Sequence, residues 1–588
     1  MRLIRLAFLA CCCAAFSPLQ AAAPAAGSAD QRFVDIYQRE WAWRLREYPS
    51  FAASAGVHDY DDRLGHVDAK TQAARLPVLE GFRRELDVIE PAQLSAEQRV
   101  NYQIFHGQLD NAIDNIRLRG YLMPMNSDSS FYADIQQMGD QVQYRTAKDY
   151  ENYLKRLAQI PRLFDEYTGL LKEGVRTGMT VPQVILQGRD GPIRAVADLK
   201  DATQSPFYEP FKKFPPAVSA ADAKRLSAEA ERTIRTAIVP AYAKLLKYFN
   251  EDYVPKARKT LGAYSLPEGK EYYRSQIREY TTLDTSPEEI HKIGLAEVAR
   301  IRAEMEQVKK DAKFDGDFAA FLKFLRTDPQ FYAKTPHELL MHASYYAKRI
   351  DGMLPKYFGK LPRLPYGVAP VPAAIAPYYT TGRYNGPSEG SGNAGFYWVN
   401  TYKLEARPIY ALPALTLHEA VPGHHLQISL ASEQGEQPPF RRHSYISAFG
   451  EGWALYAEHL GVEMGVYETP YDQFGRLTYE MWRACRLVID TGVHSMGWTR
   501  EQSLALLRDN TALSEHEITT EVDRYIGWPG QALSYKLGEL KIRELRAKAE
   551  KEMGERFDLR AFHDAVLSLG SVPLPVLEAR IDDFIAGK

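Results

Sequence analysis

The segment "TLHEAVPGHHLQ", residues 416–427, sets His418 beside Glu419 and follows them with His424 and His425. Imidazoles and carboxylates are zinc ligands, and a catalytic zinc site takes three of them and leaves a fourth position for water. In the common H-E-x-x-H helix the two histidines stand four apart on one face, with the glutamate as general base. Here the fourth position after His418 is Pro422. In an unbroken helix His424 would lie about 9 Å up the axis and well around from His418. Pro422 has no N–H to give the carbonyl of His418, and Gly423 permits an unusual backbone. A bulge or kink at 421–423 can therefore absorb two residues and return His424 to the ligand position. His425 is the alternative: seven residues after His418, it shares that face but lies a further turn away.

A third ligand is expected from a following helix. "AFGEGWALYAEHLG" carries Glu451 and Glu458, seven apart and so on one face. Glu451 suits a ligand, and Glu458 suits an outer role, fixing a ligand histidine through its other N–H. Bound zinc would bring the pKa of its water towards roughly 7, and Glu419 would take the proton. The same ligand types accept other divalent ions.

The elements that must hold these residues are mostly helical. "RFVDIYQREWAWRLREYP" places Phe33, Ile36, Tyr37, Trp41 and Leu45 at helical spacing. A second helix is expected over "SAADAKRLSAEAERTIRTAIVPAYAKLLKYF", after a Ser cap. A third begins at Ser286, Pro287 and two glutamates. "GFYWVNTY" at 395–402 is the best strand, placed to pair its backbone with an extended peptide. The fold expected is mainly α: a helical body, two lobes around a channel, with a small antiparallel sheet beside the site helix. The Pro/Gly-rich stretch 354–393 is long for a bare connection, and its tyrosines and Arg383 mark it as functional.

The first 26 residues read as a secretory signal: Arg2 and Arg5, an apolar run from Leu6 to Phe16, then small residues. Residues 27–588 then form one domain, periplasmic or secreted; acylation at Cys11 or Cys12 would make a lipoprotein instead. Of the four cysteines only Cys485 lies beyond that segment, so neither an intrachain disulfide nor a cysteine-held zinc is available to the mature chain. Cys485 itself reads as core. No later stretch reaches the roughly 18 apolar residues of a spanning helix. With a net charge of −2 and no basic patch, nucleic acid is excluded as a partner.

"HEAVPGHHLQ", "GEGWALYAE" and "RYIGWPGQALSYKLG" resemble the bacterial secreted family called domain of unknown function 885, as do "SPFYEPF" at 205–211 and residues 272–301. More distantly, the arrangement is similar to helical zinc peptidases of the gluzincin type: angiotensin-converting enzyme, thimet oligopeptidase and carboxypeptidase Taq. Dipeptidyl-peptidase III, with one extra residue between its histidines, is a precedent for the insertion. The resemblance implies zinc on His418, His424 and Glu451, Glu419 as base, and an oxyanion-stabilising tyrosine C-terminal to the metal site. For that tyrosine, His516 and Tyr525 match the converting-enzyme spacing, while "ALSYKLG" looks more like carboxypeptidase Taq and points to Tyr535. Arg383, Arg524 and Lys536 are the candidates for binding a substrate carboxylate. The function expected is a zinc metallopeptidase for short peptides. The rivals are a peptide- or metal-binding protein without turnover, and a zinc hydrolase of a non-peptide amide.

Overall fold

The computed structural model describes residues 27–587 apart from 128, 141, 374 and 388–391. The signal segment, with Cys11 and Cys12, lies outside the described residues. Helix-forming segments end where their side chains say they should. Ser28 caps Ala29–Glu47 by accepting from Gln31 N, and Ser286 caps Pro287–Asp311 by accepting from Glu289 N. The segment after Ser219 is helical over Ala220–Thr233 and Val239–Tyr248. Between them, Ile234–Ile238 form a π-helical turn; Pro240 has no N–H to continue the regular ladder.

The elements that build the site, numbered in chain order, begin with α1 (Ala96–Arg117), α2 (Gly269–Thr281) and α3 (Pro287–Asp311). Three strands follow: β1 (Tyr366–Pro370), β2 (Gly382–Asn385) and β3 (Gly395–Val399). Next come α4 (Leu412–Glu419), α5 (His424–Ser432), α6 (Ser447–Glu463), α7 (Pro470–Met496), α8 (Glu515–Gly527) and α9 (Ser534–Met553). The fold is mainly α, with one small sheet among the described residues.

That sheet corrects two expectations. Its order is β1-β3-β2, with β1 parallel and β2 antiparallel to β3, so it is mixed rather than antiparallel. The strand legible in the sequence, β3, is central and has both edges taken. The edge beside the site belongs to β2, within the 354–393 stretch, which also holds β1.

The core centres on α7, buried along nearly its whole length and packed against α3. Cys485 is fully buried there, and burial pushes its thiol well up. Helices α6 and α9 cross at paired glycines. A Cβ on Gly452 would stand 2.5 Å from the Gly538 backbone, and one on Gly538 would stand 2.0 Å from the Ala448 carbonyl. Only glycine lets these helices approach so closely, and that approach sets the position of the Glu451 face.

Candidate metal centre

Helix α4 stops at Glu419 because Ala420 leaves the helical region (φ −95°, ψ −107°), and α5 starts afresh at His424. The Val421–Pro422 peptide between them is cis. Of the bulge or kink expected at 421–423, the structure takes the sharper form: the inserted residues make a full break between two helices. The break is tightly packed. A Cβ on Gly423 would fall 1.9 Å from the His418 carbonyl oxygen, so the chain doubles back directly over the end of α4. The buried indole of Trp453 on α6 donates to the Pro422 carbonyl at 2.7 Å, and His425 N donates to the Ala420 carbonyl at 3.1 Å. This path brings the His424 ring to 4.8 Å from that of His418, nearly perpendicular to it.

Three ligand atoms converge there. His418 Nε2 lies 3.5 Å and His424 Nε2 3.4 Å from Glu451 Oε2, and all three atoms lie within 4.8 Å of one another. Those separations are long for hydrogen bonds. They match the roughly 3.3 Å between ligand atoms set tetrahedrally on a zinc with bonds of about 2.0–2.1 Å. His418 Nδ1 pairs with Glu458 Oε1 at 2.7 Å, which turns its Nε2 towards the centre. His424 Nδ1 is buried without a partner. The ligand set and its spacing fit a divalent ion.

Electrostatics favour positive charge at the same point. Burial works against a charged His418, yet the Glu451, Glu458 and Glu419 carboxylates raise it to about 10. Burial would raise Glu451, but the imidazoles of His424 and His418 hold it well below the usual carboxylate range. A second His–Asp–Glu group, His66, Asp68 and Glu166, has its glutamate engaged by Arg162 at 2.6 Å and by Val67 N at 2.9 Å.

The other expected residues divide sharply. Glu419 is buried beside the triad, and its Oε2 accepts from Tyr384 N of β2 at 2.8 Å. His425 turns away from the centre. Its Nδ1 meets the Tyr384 hydroxyl at 3.1 Å, its ring packs on Tyr366, and burial lowers its pKa to about 4. It takes no part in the triad. Tyr535 lines the cavity in front of the site, as do Arg383 and Arg524. Arg383 lies over the Tyr379 ring, and Arg524 reaches Gln531 and, at 3.9 Å, Glu521.

Three placements correct the sequence reading. His516 is exposed on α8, away from the cavity. The Tyr525 hydroxyl is buried behind the cavity wall, where it donates to Glu521 and accepts from Trp482 Nε1 and Arg486 Nε. Lys536 is sealed among Glu297, Glu480 and Glu539 at 2.9–3.0 Å and cannot reach a substrate.

The cavity, about 870 Å³, draws its walls from α1, α2, β2, α7 and α8, with His418, Glu419, His424 and Glu451 among its lining. Sequence reasoning missed Tyr445. The Tyr445 ring is half exposed, but its hydroxyl end is packed inward. That local burial and the neighbouring Glu451 carboxylate push the hydroxyl well up, and Tyr535 stands nearby. It also missed Arg483 and Arg486, whose signal was available: arginines one turn apart in an otherwise core-forming helix.

The family profile described as "Bacterial protein of unknown function (DUF885)" matches residues 49–581. The chain belongs to this family. Among solved structures, that of a "putative lipoprotein" from Colwellia psychrerythraea is 28% identical, with a TM-score of 0.88, covering 95% of this chain and 100% of its own. A "putative lipoprotein of unknown function" from Shewanella oneidensis shares the fold at 19% identity and a TM-score of 0.67, covering 93% of this chain and 99% of its own. No curated protein matches.

Proposed function

We propose that this DUF885 chain is a zinc-dependent peptidase of the cell envelope that hydrolyses short peptides. One observation carries the reading: the Nε2 atoms of His418 and His424 and a carboxylate oxygen of Glu451 converge beside Glu419 on the wall of a large cavity. Zinc held there would supply Lewis acidity and a more acidic water. Glu419, steadied by the Tyr384 N–H, takes a proton from the attacking water and delivers it to the leaving amine. Tyr445 and Tyr535, both on the cavity wall, are the hydroxyls available to donate to the developing oxyanion. Strand β2 is an edge strand whose residues 382–384 line the cavity, so an extended substrate can pair with its outward backbone groups other than the Tyr384 N–H, which Glu419 holds.

The deep, half-open cavity favours short peptides over folded proteins. The signal-like first 26 residues support export. The "putative lipoprotein" relatives favour an envelope location, with or without a lipid on Cys11 or Cys12. Among the described residues no helix is long and apolar enough to cross a membrane.

Glu419→Gln tests the reading, since glutamine keeps an acceptor for Tyr384 N but cannot take the proton. Zinc content should stay at wild-type level while turnover of a mixed tri- and tetrapeptide library falls by about 10²–10⁴-fold. Turnover within threefold of wild type would remove Glu419 as the base. No cleavage of any peptide by the zinc-loaded wild type would sink the peptidase reading.

A further inference from the structure

One wall of the cavity carries guanidinium groups that the protein's own hydrogen bonds leave incomplete. Arg486 is 2% exposed; its Nε donates to the Tyr525 hydroxyl at 3.0 Å and its Nη2 to Glu521 at 2.8 Å. Its Nη1 is buried without a partner. One turn earlier, Arg483 is also buried. Its Nη1 donates to the Tyr479 carbonyl at 3.3 Å, its Nη2 stands 3.7 Å from Glu458, and its Nε has no partner. Both guanidiniums lie against Trp482, at 4.1 and 4.6 Å from its ring centre, and Arg486 covers Tyr535 at 4.2 Å. All four residues line the cavity.

Leaving a donor of a buried cation unpaired is costly. The aromatic rings and the Tyr525–Glu521 pair hold these guanidiniums rigidly in place, so their geometry is set before any ligand arrives. An anion with two acceptor oxygens is the ligand that can answer the one open nitrogen each guanidinium keeps, Nη1 of Arg486 and Nε of Arg483. The wall is also tied to the metal centre, because Arg483 and the ligand histidine His418 approach the same oxygen of Glu458, at 3.7 and 2.7 Å.

We infer that Arg483 and Arg486 form a carboxylate subsite that holds the C-terminal carboxylate of a short peptide next to the His418–His424–Glu451 centre. This rests on the peptidase reading and sharpens it. The bond presented to Glu419 then lies close to the peptide's C-terminus, so amino acids or dipeptides leave from that end. The aromatic wall of Trp482 and Tyr535 favours an apolar side chain beside the carboxylate.

The test is calorimetric binding to zinc-loaded Glu419→Gln protein, which holds peptides without consuming them. The probes are acetyl-Ala-Ala-Phe as the free acid, the same peptide as its C-terminal amide, and acetyl-Ala-Glu-Phe amide. The free acid should bind about tenfold or more tighter than the first amide. Adding Arg486→Met should abolish that preference in protein whose helical circular dichroism and bound zinc match the parent, and a preference that persists in such protein would remove Arg486 from the subsite. Tight binding of the glutamate-containing amide would keep the carboxylate subsite but assign it an acidic side chain rather than the C-terminus. Equal binding of acid and first amide, with the third probe no tighter, overturns the subsite and leaves the peptidase reading standing. Binding of none of the three overturns both.

Discussion

Two clusters of buried charge, one around Lys536 of α9 and one around Glu451 of α6, are closed in different ways. Around Lys536, three carboxylates lie at 2.9–3.0 Å, and Glu480 also receives Arg476 at 2.7 Å and Arg300. Opposite charges there meet one another and the cluster is sealed from the cavity. Around Glu451, the nearest atoms of the triad stand 3.4–3.5 Å apart, His424 Nδ1 lacks a partner, and the cluster opens onto the cavity. Burial alone therefore does not mark a functional site. Charged groups that complete one another join helices together; groups that converge without completing one another leave room for something else.

The comparison breaks most completely at His424. The purified protein should carry about one zinc ion per chain. His424→Ala should lose nearly all of it, and His425→Ala should keep it, as read by metal analysis after dialysis against a weak chelator. Equal loss in both variants would mean that the helix break does not select between the two histidines.

In the sealed cluster, Lys536→Met leaves three carboxylates, two of them buried, without their shared cation. Unfolding free energy should drop by about 3–5 kcal/mol, measured in urea, while zinc stoichiometry of the folded protein stays unchanged. Loss of zinc in parallel with stability would show that the two clusters are not separate.

The smallest effect is expected one step out from the triad. Glu458→Gln keeps the shape beside His418 Nδ1 but removes the charge, and zinc affinity should weaken by about 10–100-fold in competition with a chromophoric chelator. An unchanged affinity would make Glu458 a partner of Arg483 alone.

Much of the site was legible without coordinates because its parts are local. His418 and Glu419 are adjacent, the Glu451–Glu458 face follows from helical periodicity, and the order of site helix then glutamate helix is plain in the chain. The caps at Ser28 and Ser286 are equally local. Other placements depend on partners far away in sequence. Tyr525 has the spacing for an oxyanion role in the sequence, but Glu521, Trp482 and Arg486 engage its hydroxyl. Lys536 reads as a free cation in the sequence, but Glu297 and Glu480 of other helices close on it. Strands β1 (YGVAP) and β2 (GRYN) were hidden because their Gly and Pro residues break the strand pattern and their backbones are completed only by β3.

The sequence by itself determined which ligand types are available, that cysteine cannot serve, and that most of the chain is helical. These follow from composition, spacing and caps, whose physics acts within a turn or two. Only the tertiary structure decided between His424 and His425. That choice depends on how the chain crosses from Glu419 to His424, and the crossing is set by Gly423 lying on the His418 carbonyl and by Trp453 of a different helix holding Pro422. A ligand position is an intersection of several helices, and no single segment's periodicity contains it.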